Sequence, residues 1–131
     1  MSTIECEMMN YLRSRNGVQK DYQKVIEHLQ AVVQKGDTDC KEKYYDFIIQ
    51  DKILGRSFEE RIFIMEENGM DGIAKEYALL EGMFGEKDIE YVLIKQMTTK
   101  KENCWLDIMD IKLQNGTERK LYFDITYFFG K

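Results

Sequence analysis

The chain contains no proline, one histidine and three cysteines among its 131 residues. Without proline, glycine and asparagine must mark the turns, and no X–proline bond is available to adopt the cis form. The lone His28 excludes a metal site built from two histidines, and its place beside the apolar stripe of a predicted helix favours a boundary position over a general base. Cys6, Cys40 and Cys104 are far apart, odd in number and without C-x-x-C spacing, so we expect reduced thiols.

Motifs of the common cofactor and nucleophile sites are also missing. The glycines form neither the phosphate loop G-x-x-x-x-G-K-[ST] nor the dinucleotide fingerprint G-x-G-x-x-G. None of the serines, Ser2, Ser14 and Ser57, lies in a G-x-S-x-G elbow. We therefore expect no cofactor and no bound metal.

The charge balance and the absence of long apolar runs exclude further classes. The net charge of −5 disfavours a general nucleic-acid binder, because phosphate binding needs a basic surface. No stretch approaches the roughly 18 apolar residues of a membrane span. The first residues include acids and lack the apolar core of a secretory signal, so we expect a cytoplasmic protein that does not associate with membranes.

Apolar residues recur at helical spacing over the first two-thirds of the chain. An apolar stripe with i, i+3, i+4 periodicity follows Tyr22, and Ser57 with Glu60 three residues later forms a capping box. Asp71 is the expected cap of the last helix, which Gly85 ends. The predicted helices cover residues 3–15, 20–35, 40–54, 58–67 and 71–84.

Strands follow in the last third. The predicted strands cover residues 89–97, 104–113 and 120–129, and the short loops between them favour an antiparallel meander. The expected fold is therefore α+β, with N-terminal helices packed on a C-terminal antiparallel β-meander in one domain, residues 1–131. A fourth strand within residues 47–65 is left open, with "FIIQDKIL" and "RIFIM" as the two candidates.

Asn115–Gly116 is the strongest hairpin signal and favours a two-residue type I′ turn. With that turn, Asp107 lies opposite Asp124 on one face of the sheet. The same face pairs Met109 with Tyr122 and Trp105 with Thr126. The other face is almost wholly apolar: Leu106, Ile108, Leu121, Phe123, Ile125, Tyr127 and Phe129.

The facing acids are the main candidate for chemistry. Like charges directly opposite each other in a ladder destabilise it, and two close acids can share a proton or hold a cation. A functional interpretation is a ligand pocket with the acids at its base. The alternative is a solvated face on which Lys112 or Lys120 screens the charges. The candidate ligand-binding residues are Trp105, Asp107, Met109, Tyr122 and Asp124.

The order of the predicted elements is also informative. The chain starts with helices that include "VIEHLQAVVQKGD" at residues 25–37, adds further helices, and ends in a meander that contains "NG" and finishes in "GK". This order resembles the NTF2-like superfamily, in which an N-terminal helix packs across a strongly curved sheet. The resemblance implies a pocket between the helices and the concave sheet face, lined by one face of the last two strands. Many members bind small apolar ligands, dimerise or perform acid/base chemistry there.

Three functions remain open on this sequence. The first is a non-enzymatic domain that binds a small apolar ligand or a protein partner through the sheet face and pocket, with a homodimer through exposed sheet. The second is an acidic immunity-type protein that blocks a basic toxin or enzyme, because acidic charge steers association with basic partners. The third is an acid/base enzyme that uses Asp107 and Asp124.

Overall fold

The computed structural model describes residues 18–51 and 54–130. The predicted helix over residues 3–15 lies outside the described residues, and so does Cys6. The described chain is α+β, with helices on one side of a four-stranded mixed sheet. The helices are α1 Val18–Lys35, α2 Thr38–Asp51 and α3 Gly69–Phe84, and the strands are β1 Ile62–Phe63, β2 Tyr91–Lys101, β3 Cys104–Leu113 and β4 Glu118–Asp124.

Helix α1 buries the apolar stripe that the periodicity predicted. Its buried residues are Val25, Ile26, Leu29 and Val32, all at most 4% exposed. The helix ends at Gly36, whose φ of +72° lies in the left-handed region that favours glycine. The Asp37 carboxylate then accepts the Cys40 backbone N–H at 3.1 Å, and so caps the start of α2.

Helix α3 begins earlier than the sequence indicated. Asn68, and not Asp71, is its N-cap, because the Asn68 side chain accepts the Asp71 backbone N–H at 2.9 Å. The helix ends at Gly85 as predicted. Its inward face carries Leu79, Leu80 and Met83.

The predicted helix over residues 58–67 is wrong. Ser57 Oγ does accept the Glu60 N–H at 3.3 Å, but only a turn follows, and Ile62–Phe63 then forms a strand parallel to Phe123–Asp124. Residues 61–65 are all at most 3% exposed. A helix would direct some of these side chains to solvent, whereas a segment buried on both sides that contains Ile62, Phe63 and Ile64 fits an extended strand. The fourth strand therefore comes from "RIFIM".

Two tyrosines of α2 attach this strand to the helical layer. Tyr44 Oη accepts the Phe63 N–H at 3.0 Å, and Tyr45 Oη accepts the Met65 N–H at 2.8 Å. Tyr45 also donates to Glu66 at 2.9 Å. Burial raises the pKa of the Tyr45 hydroxyl well above its usual value, which keeps this donor protonated.

The strand order in the sheet is β1-β4-β3-β2. Strands β2, β3 and β4 form the predicted antiparallel meander, and β1 adds a parallel pairing at the β4 edge that the sequence did not indicate. Strand β2 extends to Lys101, beyond the predicted end, and β4 stops at Asp124. The next residues turn back, so that the Phe128 ring packs against Gly72 of α3.

The turn at Asn115–Gly116 is not type I′, and the predicted register is wrong by one residue. Leu113 N–H donates to Thr117 O at 2.7 Å, and only Gly116 has a positive φ, +88°. This is a three-residue loop that ends in a glycine bulge. A slip of one residue moves every side chain of a strand to the other face.

The observed register redistributes the predicted faces. Asp107 lies opposite Phe123 and Leu106 lies opposite Asp124, so the two acids are on different faces. The predicted apolar face is therefore wrong, because Leu106 and Phe123 do not share a face. The buried residues on the helix-facing side include Met109, Ile111, Leu121 and Phe123.

A turn with type I′ character occurs one hairpin earlier. Glu102 and Asn103 connect β2 and β3 and have φ values of +49° and +68°. Lys101 and Cys104 flank them as the last pair of the ladder. Positive φ at both turn residues defines the type I′ turn.

Candidate functional site

The five predicted site residues do not come together. Trp105, Asp107 and Met109 lie on the helix-facing side of β3, whereas Tyr122 and Asp124 are on the opposite side of β4. Met109 is fully buried in the core. Trp105 stacks on Phe129, with 4.4 Å between ring centroids. The predicted pocket on a shared face is therefore not formed by these residues.

Asp124 is part of a buried ion pair. Arg61 Nε donates to Asp124 Oδ2 at 2.9 Å, and both side chains are at most 3% exposed. The Thr126 N–H donates to Asp124 Oδ1 at 3.0 Å, and the Ile64 N–H donates to the Asp124 carbonyl oxygen at 3.0 Å. Asp124 thus fastens the segment that carries β1 to the end of β4.

Cys104 lies beside this ion pair. Arg61 Nη2 is 3.6 Å from Cys104 Sγ. Burial, with a smaller contribution from the charge of Asp124, raises the pKa of the Cys104 thiol. A raised thiol pKa opposes the thiolate form that a nucleophile requires.

Asp107 does have an acidic neighbour, but this is Glu76 of α3. Glu76 is 0% exposed. Neither of its carboxyl oxygens accepts a hydrogen bond from another described residue. Burial, then a hydrogen bond to Asp107 and the charge of Asp107, raise the pKa of Glu76 to about 10. Glu76 therefore carries a proton at neutral pH. That proton turns the contact between two acids into a hydrogen bond, with Glu76 donating and Asp107 accepting.

Three further hydrogen bonds hold Asp107. Gln96 Nε2 donates to both carboxylate oxygens at 3.0 Å, and Thr98 Oγ1 donates to Oδ1 at 3.2 Å. The Tyr77 hydroxyl lies 3.4 Å from Gln96 Oε1 and completes the network. We call Glu76, Tyr77, Gln96, Thr98 and Asp107 the carboxyl network. It connects helix α3 to strands β2 and β3.

Sequence reasoning missed Glu76, although a signal for it existed. Glu76 precedes Leu79, Leu80 and Met83 by three, four and seven residues, which is the spacing of the inward stripe of a helix. An acid at an inward position needs a partner or a proton. The predicted pairing of Asp107 with Asp124 is therefore wrong, and the acid beside Asp107 is Glu76.

The two acids at the centre of the carboxyl network, Glu76 and Asp107, are buried. The cavities of about 700, 340 and 100 Å³ in the described part of the chain are all lined by other residues. Asp107 itself is only 4% exposed. Gln96 and Thr98 are exposed on β2, so the network joins elements of the fold and reaches the surface through these two side chains.

An open groove of about 700 Å³ lies between the C-terminal end of α3 and the β3–β4 turn. Its apolar residues are Met83, Phe84 and Leu113, and its polar residues are Arg56, Glu90, Gln114, Asn115 and Arg119.

The polar groups of the groove differ in what they already bind. Glu90 Oε1 accepts the Glu86 N–H at 2.9 Å, and Asn115 Oδ1 accepts the Thr117 N–H at 3.0 Å. Arg119 is half-buried on the helix-facing side of β4, opposite Ile111, and forms no ion pair with another described residue. The Arg119 guanidinium is therefore free to bind an anion in the groove.

Comparisons with known protein families, curated proteins and solved structures find no match to this chain. Among the described residues, no helix has the length and apolar character to cross a bilayer. No group of three or more histidine, cysteine, aspartate or glutamate residues in residues 18–51 and 54–130 is placed to hold a metal ion.

Proposed function

We propose that this chain is a non-enzymatic binding domain that takes a small organic anion with an apolar part. The binding site is the groove between α3 and the β3–β4 turn. The observation that carries the proposal is the placement of the Arg119 guanidinium beside apolar side chains in a groove of about 700 Å³.

The groove has the physical character of a ligand site. Its volume falls within the roughly 300–1,000 Å³ of small-molecule sites, which combine apolar walls with a few polar groups. Guanidinium groups bind carboxylate or phosphate through two parallel hydrogen bonds. Met83, Phe84 and Leu113 would remove an alkyl or aryl group from water, at about 25 cal/mol for each Å² buried.

The ligand preference follows from the charge of the whole chain. A net charge of −5 provides no general attraction for anions. Affinity must therefore come from short-range contacts with Arg119 and with the apolar surface. We expect a ligand that lacks either the anion or the apolar part to bind much more weakly.

The arrangement of layers also supports the proposal. Helix α3 contacts β3 through Glu76 and Asp107 and β2 through Tyr77 and Gln96, and the groove lies at the C-terminal end of this helix. An opening between helices and sheet is where the NTF2-like resemblance, which stays a prediction, places a ligand. The residues differ from those predicted, since Trp105 and the other four do not line this groove.

The acid/base alternative relied on Asp107 and Asp124 as facing acids. Asp124 is paired with Arg61, on the other face of the sheet from Asp107. The acid that does contact Asp107 is the enclosed Glu76. A buried pair that no described cavity reaches supports a structural role for these carboxyls.

Fluorescence titration with 8-anilinonaphthalene-1-sulfonate, an aromatic anion, tests the proposal. Arg119→Gln should raise the Kd for this probe about tenfold, because a hydrogen bond to a charged group contributes about 1.5–3 kcal/mol. Lys112→Gln is the matched control, since Lys112 is an exposed cation outside the groove. Thermal unfolding of all three proteins must agree, because partly unfolded chains also bind this probe.

Competition separates the two parts of the ligand. Decanoate should displace the probe, and decanol, which has the same chain without the charge, should displace it far less. Equal affinity of the probe for the unmodified protein and for Arg119→Gln would overturn the assignment of the groove.

A further inference from the structure

Strand β2 is an open edge of the sheet. The strand order places β3 on one side of it and no other described strand on the other. In an antiparallel ladder, alternate residues direct their N–H and C=O groups to the neighbouring strand. Because Lys101 and Cys104 flank a two-residue turn, the backbone groups of Gln96, Thr98 and Lys100 point towards the open edge.

The edge exposes apolar side chains. Val92, Ile94 and Met97 are 43%, 51% and 45% exposed. A bulge at Ile94 interrupts the ladder between Leu93 and Lys95, and the register is then regular from Lys95 to Lys101. Natural proteins protect long edge strands by covering, bending or charging them. The bulge protects the first part of β2, and the regular part remains available as a template.

The charge of this edge is opposite to that of the chain. Strand β2 carries Lys95, Lys100 and Lys101 and no acid, whereas the chain has a net charge of −5. None of the three lysines forms an ion pair with another described residue, and the ammonium groups of Lys100 and Lys101 lie over the rings of Trp105 and Phe58. A second copy of β2 would bring the same three lysines to the shared edge and be repelled. An acidic segment would be attracted.

We propose that the edge of β2 binds an extended, acidic segment of a partner protein, which adds to the sheet as a strand beside residues 95–101. Backbone hydrogen bonds supply affinity in this mode of recognition, and alternate side chains supply specificity. The proposed strand site is at the C-terminal end of β2. The proposed ligand groove is next to the N-terminal end, where Glu90 lines it. Neither proposal therefore depends on the other.

The face of β2 directed away from the helices defines the partner sequence. Lys95, Met97, Thr99 and Lys101 share this face, because the pleat alternates and the opposite face holds Gln96 and Thr98. An antiparallel partner then places an acid opposite Lys101, an apolar residue four positions later opposite Met97, and a second acid two positions after that opposite Lys95.

The carboxyl network prepares this edge for binding. Gln96 and Thr98 hydrogen-bond Asp107 from the helix-facing side, and so hold the middle of β2 in an extended conformation. A preordered strand loses less conformational entropy when a partner binds. The hydrogen bonds use only side chains, so the outward backbone groups stay available.

A fluorescein-labelled peptide, ETTSVTE, tests the inference by fluorescence polarisation with the full chain. We expect binding that weakens as salt is raised, because the recognition includes exposed charges. Lys101→Glu should weaken binding at least tenfold, and the peptide KTTSVTE should bind this variant better than it binds the unmodified protein. Lys112→Glu is the matched control, because Lys112 is exposed on the same face but lies on β3, away from the edge.

A backbone variant tests the added strand directly. Lys100→Pro removes an N–H that points to the open edge and should abolish binding, whereas Lys100→Ala keeps that N–H and should retain most of it. Thermal unfolding shows whether each variant is folded. Equal binding by Lys101→Glu and the unmodified protein would overturn the inference. So would a concentration-dependent dimer that excludes the peptide, because a second copy would then occupy the edge.

Discussion

At the scale of single residues, the fold contains two buried acids that are stabilised in different ways. Asp124 pairs with Arg61, with 2.9 Å between Nε and Oδ2. Glu76 has no cationic partner among the described residues and keeps its proton instead. An unpaired buried charge is far more costly than a buried neutral group, so the two sites respond differently to pH and to mutation.

Glu76 should lower the stability of the folded protein as pH rises. Its pKa is raised from 4.5 in the unfolded chain to about 10 by burial and by Asp107. Below pH 4.5 both states hold the proton and there is no cost. Between these two values only the folded state keeps it, so stability is lost progressively until the folded pKa is reached.

Glu76→Gln should therefore stabilise the protein at neutral and alkaline pH. A glutamine amide can still donate to Asp107 but does not titrate. The gain should approach about 3 kcal/mol at pH 7, at 1.36 kcal/mol per pKa unit, and vanish near pH 4. Urea unfolding at several pH values measures it. The exposed Glu81→Gln on the same helix is the control, and a gain that does not change between pH 5 and pH 9 would contradict the account.

Breaking the Arg61–Asp124 pair should be strongly destabilising. Asp124→Asn leaves the Arg61 cation buried without its counter-charge, which costs about 3–5 kcal/mol. Removing both charges in Arg61→Met/Asp124→Asn should cost less than the sum of the single changes. Lys120→Met, which breaks an exposed pair of 3.8 Å with Asp110, should cost under about 1 kcal/mol. Urea unfolding compares them, and strict additivity at the buried pair would refute the coupling.

At the scale of elements, the turns decide which residues share a face. Asn115–Gly116 has the sequence of a type I′ turn, yet only Gly116 has a positive φ. The turn with two positive φ values is Glu102–Asn103, whose sequence carries a weaker signal. Local turn preference therefore predicted a hairpin at the right place and the wrong register, because the register depends on how the whole sheet packs against the helices.

Substitutions in the two turns test these turn types. Glu102→Asn/Asn103→Gly should stabilise the protein by about 1 kcal/mol, because both residues adopt positive φ more readily. Gly116→Ala should destabilise it by about 1–2 kcal/mol, because alanine is strained at a φ of +88°. Thermal unfolding measures both. If the first change destabilised the protein, the type I′ geometry at Glu102–Asn103 would be wrong.

Element type was predictable where the pattern was long and periodic. The α1 stripe, the end of α3 at Gly85 and the bounds of β3 all agree with the sequence. The segment at residues 61–65 was mistaken for a helix because a short buried apolar run has no period that separates helix from strand. Its pairing with β4 brings together residues some 60 positions apart, which no local pattern reveals.

At the scale of the whole molecule, the two proposed binding surfaces use different ends of the hairpins. The groove is built from the end of α3 and the β3–β4 turn, and the acidic-segment site from the β2 edge nearer the β2–β3 turn. Neither was predictable from the sequence, because each depends on which residues the register and the helical layer leave uncovered. Arg119 in particular becomes a candidate only once its strand faces the helices at a place where α3 has ended.

The most direct test of the central claim is a titration of the isotope-labelled full chain with decanoate, followed by ¹H–¹⁵N NMR. We expect the largest saturable shifts at Glu90, Gln114, Asn115 and Arg119, which line the groove. The amides of Thr98 and Lys100, at the open edge of β2, should move little. Arg119→Gln should require about tenfold more decanoate for the same shifts. Shifts that avoid the groove, or that are the same in Arg119→Gln, would contradict the proposed function.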